Sequence, residues 1–231
     1  MKDGIRGNAC GGYLNSVEMA LLEYAATVGA LKFGSFKLHA ESERISPYFF
    51  DSSLLTDGKG LSLIGRACAE ALISSGMKCD VLFGPAYKGI PLASVTATAL
   101  WRGFSVIKQV NYNRKEAKDH GEAGIVVGAC IKGKRLVLVD DVITAGTAVR
   151  ESIGFIEAHG DERTSIVGVL VLLDRQERGI GELSAVQEVQ NTYGLQVASV
   201  LNFEKLRDFS FHMFAREQIE AMDKYREQYG I

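Results

Sequence analysis

The chain has 231 residues, the size of one α/β domain with additions or at most two small domains. Its 26 basic and 28 acidic residues give a formal net charge of −2, so no overall positive field would recruit nucleic acid or an anionic membrane. The four cysteines form no CxxC pair, which argues against a zinc site or a disulfide framework and favours a reducing compartment. There is no bilayer-length apolar run and no signal-like start, so we expect a cytoplasmic protein.

Residues 1–14 are polar and rich in glycine, and we expect a loose extension there, followed by a single domain over 15–231. Asn15 with Glu18 three residues later resembles a capping box. It opens a helical apolar pattern that reaches Leu31. The first element of the domain is therefore predicted to be a helix.

Two short aromatic stretches, residues 33–38 and 46–51, follow this helix and predict a hairpin or small hood over approximately 31–55, apart from the main sheet. Helical and extended patterns then alternate, which predicts an α/β fold with a doubly wound, mainly parallel sheet and right-handed crossovers. The predicted elements are helices 61–74, 90–101 and 181–193, strands 80–83, 105–107, 125–129, 166–173 and 196–200, and one or two closing helices.

The central motif is residues 135–150, RLVLVDDVITAGTAVR. Its apolar run predicts a strand buried on both faces, with Asp140 and Asp141 where the strand ends and a small-residue turn leading into a helix over 148–158. The crevice at the carboxyl ends of parallel strands holds ligands, and the N–H groups of such a turn suit phosphate. Carboxylates suit hydroxyl groups instead. The motif therefore predicts a ligand that carries both a phosphate and a diol, such as a ribose 5-phosphate.

The acidic pair allows two other interpretations. A nucleotide triphosphatase needs GxxxxGK[ST] after a strand, whereas residues 128–135, GACIKGKR, precede a strand and have Arg at the hydroxyl position. A solvated turn would also contain aspartates. The other motifs of the chain make both interpretations weaker.

A second strand end carries residues 83–89, FGPAYKG. Its Gly-Pro and Lys-Gly pairs predict a compact turn that directs backbone N–H groups and Lys88 towards the crevice, as a second anion cradle. A purely structural turn is the alternative. After another predicted strand comes Arg175, in LDRQERG. It could form a bidentate pair with a substrate carboxylate, and a surface ion pair is the alternative.

Residues 111–124, NYNRKEAKDHGEAG, form a long polar stretch that contains several cations. Long loops without structure of their own are usually functional or disordered. We therefore expect a mobile lid that closes over a polyanion and excludes water, with a solvated charged loop as the alternative. The cations of this lid are Arg114, Lys115, Lys118 and His120.

Taken together, FGPAYKG, NRKEAKDHGE, VLVDDVITAGTA, DRQERG and SPYFF closely resemble the type I phosphoribosyltransferase family, from about Leu31 to the carboxyl terminus. VLVDDVITAGTA resembles the motif for phosphoribosyl pyrophosphate (PRPP) in the whole family, whereas the lid and DRQERG resemble the members that use orotate. The resemblance implies a glycosyltransferase that converts orotate and PRPP to orotidine 5′-phosphate and pyrophosphate in de novo pyrimidine synthesis. It also implies Mg²⁺ and a homodimer.

The resemblance also assigns roles to residues. The implied catalytic residues are Asp140, Asp141, Lys118 and His120. The implied PRPP-binding residues are Tyr87, Lys88, Arg114, Lys115, Lys118, His120, Asp140, Asp141, Val142, Ile143, Thr144, Ala145, Gly146, Thr147 and Ala148. The implied orotate contacts are Phe49, Phe50, Thr144 and Arg175. Lys118 and His120 would act in the neighbouring subunit, Ala86–Tyr87 would be a cis peptide, and magnesium would bind through PRPP and water without a direct protein ligand.

One segment departs from the family. Relatives carry FxLKSGR before SPYFF, whereas this chain reads FKLHAESERI, with His39 at the position of the lysine. Lys37 would lie on the same face of a strand and could replace that lysine. Two rival functions were considered: a regulator of the same fold, which would need a DNA-binding module, and a transferase for another nucleobase, against which the Arg175 region argues.

Overall fold

A computed structural model describes residues 13–38, 44–118, 124–143, 147–178 and 181–231. The first helix, α1 (Ser16–Thr27), begins with the predicted capping box. The side chain of Asn15 accepts hydrogen bonds from the backbone N–H groups of Val17 and Glu18, and the Glu18 carboxylate accepts one from the Asn15 N–H at 3.1 Å. The helix ends at Thr27 instead of reaching Leu31, because Gly29 turns the chain in a left-handed conformation (φ 71°). Most of the expected extension, residues 1–12, lies outside the described residues.

The two aromatic stretches form a separate antiparallel pair, β1 (Leu31–Lys37) and β2 (Ile45–Phe50), which confirms the predicted hairpin. A short 3-10 helix, Ser52–Leu54, follows β2. Alternate residues of β2 are buried, because Tyr48 and Phe50 pack into the hydrophobic core. We call residues 31–55 the hood. Its buried side chains anchor it beside the main sheet.

Within the described residues the main sheet has six strands in the order β5-β4-β3-β6-β7-β8, and all but β5 are parallel to their neighbours. This confirms the prediction of a mainly parallel sheet. Side chains of β6 alternate between two hydrophobic cores, with Val137 and Val139 in one and Leu136 and Leu138 in the other. The strands are β3 (Val81–Phe83), β4 (Gln109–Lys118), β5 (Gly124–Gly128), β6 (Arg135–Ile143), β7 (Ser165–Asp174) and β8 (Gln196–Asn202).

Helices cover both faces of the sheet, as a doubly wound fold requires. The first core contains residues of α1 and of four further helices: α2 (Gly58–Ser75), α3 (Gly89–Phe104), α6 (Phe203–Met213) and α7 (Arg216–Tyr229). The second core contains residues of α4 (Thr147–His159) and α5 (Ala185–Tyr193). Within the described ranges, no helix is long and apolar enough to cross a membrane.

Four predicted boundaries are wrong. Residues 105–107 are not a strand, because Ser105 ends α3 in a left-handed conformation and the next strand starts at Gln109. Residues 111–118 of the predicted loop 111–124 are not irregular, since they belong to β4, which pairs antiparallel with β5. The acidic pair lies inside β6, which continues past it to Ile143. Helix α5 starts at Ala185 and not at 181, because Ser184 forms a capping box there.

Candidate active site

The acidic pair connects three parts of the fold at the carboxyl end of the sheet. A backbone N–H group donates to each carboxylate. The N–H of Asp141 donates to the Asp140 carboxylate at 2.8 Å, and the N–H of Val142 donates to the Asp141 carboxylate at 2.8 Å. The Lys88 ammonium, in the turn after β3, donates to Asp141 at 2.8 Å. From the 3-10 helix of the hood, the Ser52 hydroxyl donates to the same oxygen at 3.1 Å. Asp141 is thereby fixed from both sides.

The two aspartates differ in their electrostatic environment. Burial raises the pKa of Asp140 to about 6, and the neighbouring charge of Asp141 adds to this effect. Burial also opposes the charge on Lys88, but its hydrogen bond and ion pair with Asp141 outweigh that effect and raise its pKa. At neutral pH, Asp140 is therefore an ionised carboxylate in an environment that disfavours its charge. Hydroxyl donors from a ligand would relieve that cost.

The turn after β3 is compact, and the Ala86–Tyr87 peptide bond is cis, which confirms the implied isomer. The backbone N–H of Ala86 donates to the side-chain oxygen of Asn113 on β4 at 2.9 Å, so the turn is attached to the next strand. A Cβ atom at Gly84 would lie 2.2 Å from the carbonyl oxygen of Gly89, and one at Gly89 would lie 2.7 Å from a carbonyl oxygen of β6. Both glycines therefore permit a close backbone approach that no other residue would allow.

The cations of β4 lie in a bulge. Between the pairs Asn113–Val126 and Lys118–Gly124, β4 advances five residues while β5 advances two, so three residues of β4 are extra. A bulge of this kind redirects side chains that regular alternation would point elsewhere. Arg114 in this bulge donates to a carbonyl oxygen of β5 at 3.2 Å, and the ammonium of Lys115 lies 5.1 Å from the centre of the Tyr87 ring.

These groups surround one cleft of about 620 Å³. A carboxylate from β6, cations from β4 and from the turn after β3, and the first turn of α4 all contribute to its wall. Six residues expected from the sequence line it: Tyr87, Lys88, Arg114, Lys115, Asp140 and Ala148. The cleft therefore brings the cations Lys88, Arg114 and Lys115 together with the carboxylate of Asp140.

For the other expected PRPP residues, the structure describes only some of the side chains. The side chain of Lys118 and the whole of His120, Thr144, Ala145 and Gly146 lie outside the described residues. Ile143 is buried in the core beneath α4, so only its backbone could meet a ligand. Thr147 is the exposed first residue of α4, and its hydroxyl accepts a hydrogen bond from Arg150 at 3.1 Å.

Arg175 follows the last residue of β7 and is only 5% exposed. Its Nε donates to Glu177 at 2.8 Å and its Nη2 donates to the Ser46 hydroxyl at 2.8 Å. The guanidinium carbon lies 4.1 Å from the centre of the Tyr48 ring. The alternative of a surface ion pair is therefore wrong, because the ion pair of Arg175 with Glu177 is buried.

The two expected phenylalanines of the hood differ. Phe49 is half-buried and stacks on Phe36 with ring centres 5.6 Å apart, whereas Phe50 is 5% exposed and packs in the first core. Because the Phe50 ring is packed in the core, only the backbone of this residue could contact a ligand. His39 lies outside the described residues, and Lys37 is exposed at the end of β1.

Sequence reasoning missed three residues that fix the site. Ser52 holds Asp141, Asn113 holds the turn at Ala86, and Glu177 holds Arg175. The contacts of Ser52 and Asn113 join segments that are distant in the chain and meet only in the folded protein, whereas Glu177 is close to Arg175 in the sequence. Glu177 stands two residues after Arg175 in DRQERG, so its negative charge was the one sign in the sequence that it could pair with Arg175.

The fold and the cleft define a type I phosphoribosyltransferase, and the sequence model of the phosphoribosyl transferase domain matches residues 52–198. A relative from Photorhabdus laumondii, an orotate phosphoribosyltransferase, is 48% identical over 94% of this chain and 100% of its own. One of the same name from Salmonella paratyphi A is 49% identical over 91% of this chain and 96% of its own. The crystal structure of the Francisella tularensis orotate phosphoribosyltransferase superposes with a TM-score of 0.79 at 36% identity, over 91% of this chain and 98% of that one. The chain therefore belongs to the orotate phosphoribosyltransferase family.

Proposed function

We propose that this protein transfers the ribose 5-phosphate group of PRPP to orotate, which yields orotidine 5′-phosphate and pyrophosphate for pyrimidine synthesis. The observation that carries this proposal is the cleft in which Asp140 faces the cations Lys88, Arg114 and Lys115 at the carboxyl end of the sheet. Its relatives at 48% and 49% identity bear the name of this activity. Orotate is a carboxylated pyrimidine, and Arg175 is the group that we assign to its carboxylate.

In this reaction the N1 nitrogen of orotate forms a bond to C1 of the ribose and releases its proton to water, and the bond from C1 to the pyrophosphate oxygen breaks, with its electron pair leaving on pyrophosphate. Positive charge builds on the ribose and negative charge builds on pyrophosphate, as in glycoside cleavage. We assign Asp140 and Asp141 to the ribose hydroxyls, where their charge also faces the positive ribose. Tyr87 and the cations that line the cleft meet the pyrophosphate. We assign the 5-phosphate to the backbone N–H groups of residues 144–147, as the sequence predicts.

Magnesium fits this site as a partner of PRPP. The Asp141 carboxylate is already held by Lys88 and Ser52, so Mg²⁺ would bind through PRPP oxygens and water without a direct protein ligand. When bound, Mg²⁺ neutralises charge on the departing pyrophosphate. We further place the enzyme in the cytoplasm, which agrees with the free thiols of Cys68, Cys79 and Cys130.

Base choice tests the proposal directly. Purified protein with PRPP and Mg²⁺ should consume orotate, and should use uracil and hypoxanthine poorly, because neither carries the carboxylate that Arg175 would pair with. The measurement is the rate of pyrophosphate release with each base. Comparable rates with hypoxanthine would instead indicate a transferase for another nucleobase.

Arg175→Ala tests the assigned contact. Loss of the guanidinium leaves the orotate carboxylate desolvated without its partner, so we expect kcat/KM for orotate to fall by an amount equivalent to about 2–5 kcal/mol. The KM for PRPP should change little, and it serves as the internal control for correct folding. Normal orotate kinetics in the variant would reject the contact.

We also propose that the β4–β5 ribbon carries a lid at 111–124 and that Lys118 and His120 act in the neighbouring subunit of a homodimer. The ribbon is an edge element of the sheet, with β5 outermost. Trp101 and Ile107, 57% and 76% exposed, lie just before it in the chain and offer apolar surface for a second copy.

Mixing two inactive variants tests this arrangement. Lys118→Ala affects only the lid, whereas the double variant Asp140→Asn, Asp141→Asn affects only the ribose site. In a mixed dimer, the intact carboxylates of one subunit would meet the intact lid of the other, which restores one complete site. Random subunit exchange makes about half the dimers mixed, so activity should return to about a quarter of wild type. If exchange is verified and activity does not rise, the lid acts within its own subunit.

A further inference from the structure

A cluster of buried polar side chains holds Arg175 from two sides. We call Ser46, Tyr48, Arg175, Glu177 and Tyr225 the Arg175 cluster. The hydrogen bonds that Arg175 makes within the described residues use its Nε and Nη2 atoms, and the distance from Nη2 to the Glu177 carboxylate is 2.7 Å. Tyr48 lies against the face of the guanidinium. The plane and one edge of this cation are therefore fixed by the protein itself.

Glu177 is in turn held by two tyrosines from distant parts of the chain. The Tyr48 hydroxyl of β2 donates to one carboxylate oxygen at 3.4 Å, and the Tyr225 hydroxyl of α7 donates to the other at 3.2 Å. Burial raises the pKa of both hydroxyls, that of Tyr225 to about 12, so both remain protonated donors at physiological pH. The carboxylate therefore has partners on both oxygens and little freedom to rotate.

The backbone after β7 is attached to the end of α7 as well. Residue Gln176 adopts a left-handed conformation (φ 51°), which brings the side chains of Arg175 and Glu177 together. The N–H of Arg178 donates to the carbonyl oxygen of Tyr229 at 2.9 Å, and the N–H of Ile231 donates to that of Gln176 at 3.1 Å. The segment 229–231 thus lies along the backbone of the loop that carries Arg175.

We propose that Glu177 is a positioning residue for base recognition: together with Ser46 it takes the Nε and Nη2 donors of Arg175, so that Nη1 is left for the carboxylate of the base, and Tyr225 of α7 keeps Glu177 in place. A guanidinium can bind a carboxylate in bidentate fashion along its side edge or its end. Glu177 takes the side edge and the Ser46 hydroxyl takes the second hydrogen of Nη2, which leaves the two hydrogens of Nη1. This inference rests on the proposed role of Arg175.

Glu177→Ala is the primary test, because it frees the Nε edge and lets the guanidinium rotate. We expect the KM for orotate to rise at least about tenfold, while the KM for PRPP and the slow reaction of uracil, which lacks the carboxylate, stay within about twofold. Glu177→Gln keeps an oxygen at the same edge and should remain within about threefold of wild type. Glu182→Gln, in an exposed position further along the same connection, is the matched control and should change nothing.

Tyr225→Phe removes one hydrogen bond from Glu177 and no contact to substrate, so a smaller rise in the orotate KM with unchanged PRPP KM is expected. In the Arg175→Ala background, Glu177→Ala should add almost nothing to the orotate KM, because the two residues act as one unit. If Glu177→Ala alone does not fold, Tyr225→Phe remains the test, because it keeps the charge of Glu177.

The outcomes separate the inference from the proposed function. If Arg175→Ala leaves the orotate KM unchanged, the proposed role of Arg175 fails and the positioning role fails with it. If Arg175→Ala raises this KM while folded Glu177→Ala and Tyr225→Phe do not, only the positioning role is wrong. A lower orotate KM in Glu177→Ala would show that Glu177 competes with the substrate, and a lower melting temperature with unchanged KM values would show a structural role; either result overturns the inference.

Discussion

Asp140→Asn should stabilise the protein while it damages the site. Burial raises the pKa of this carboxyl from 3.8 to about 6 in the folded protein. This pKa shift of about 2 units corresponds to about 3 kcal/mol, at 1.36 kcal/mol per unit. The ionised Asp140 carboxylate lowers the free energy of unfolding by that amount. Asparagine carries no charge, and its oxygen can still accept the hydrogen bond from the Asp141 N–H. Kinetics should move in the opposite direction, with a large fall in kcat.

The raised pKa of Asp140 also determines how the free energy of unfolding changes with pH. Because the folded state binds the proton more tightly than the unfolded state, the wild-type free energy of unfolding falls as pH rises from about 4 to about 6 and then levels off. Asp140→Asn lacks this fall. Urea unfolding of both proteins between pH 4 and pH 8 should give a stability difference that grows over this window to about 3 kcal/mol. A difference independent of pH would refute the reasoning.

Asp161 offers a control of opposite sign. Burial acts to raise its pKa, but hydrogen bonds from Thr164, Gly133 and Arg163 outweigh burial and lower it. Asp161→Asn should therefore be less stable than wild type at neutral pH, and the difference should shrink as the pH falls below the ordinary pKa of an aspartate. Extending the urea titration below pH 4 would then show the two aspartate-to-asparagine substitutions with opposite trends, each in its own pH window.

Further expected outcomes concern the turn, the core and the ion pair of the site. Gly89→Ala should raise the KM for PRPP and lower the melting temperature, because its Cβ would lie 2.7 Å from a carbonyl oxygen of β6, whereas Gly154→Ala in α4, with nothing within 4 Å, should do neither. Leu172→Ala, at a fully buried position of β7, should lower the free energy of unfolding by about 2–5 kcal/mol without a specific change in KM, as measured by urea unfolding. Lys88→Ala should weaken PRPP binding in calorimetry; unchanged affinity would mean that Lys88 serves only to neutralise Asp141.

Much of the fold follows from local patterns in the sequence. The capping box at Asn15, the aromatic alternation of the hood and the apolar run of β6 each predict an element that the structure contains. The boundaries that fail depend on tertiary pairing. The polar residues 111–118 carry no strand periodicity, yet they belong to β4, because β3 pairs with the strand as far as Asn111 and β5 pairs with it beyond that residue.

For the candidate site, residue types at strand ends were sufficient to find the acidic pair and the cations of the cleft. The supporting contacts were not predictable, because each depends on how distant segments meet. Ser52 and Asp141 are 89 residues apart in the chain, and Tyr225 and Glu177 are 48 apart. The burial of Arg175 likewise results from the hood and α7 closing around it, which no pattern within DRQERG indicates.

The bulge in β4 has a consequence for how this family can vary its sequence. Arg114 and Lys115 owe their direction to the extra residues of the bulge, between the paired positions Asn113–Val126 and Lys118–Gly124. Insertions or deletions beyond that last pair would change the length of the connection between the two strands without reversing which side chains face the cleft. Within a regular strand, by contrast, a single-residue change in register would turn every side chain to the other face. The length of the chain between Lys118 and Gly124 can therefore change while Arg114 and Lys115 keep their place in the wall of the cleft.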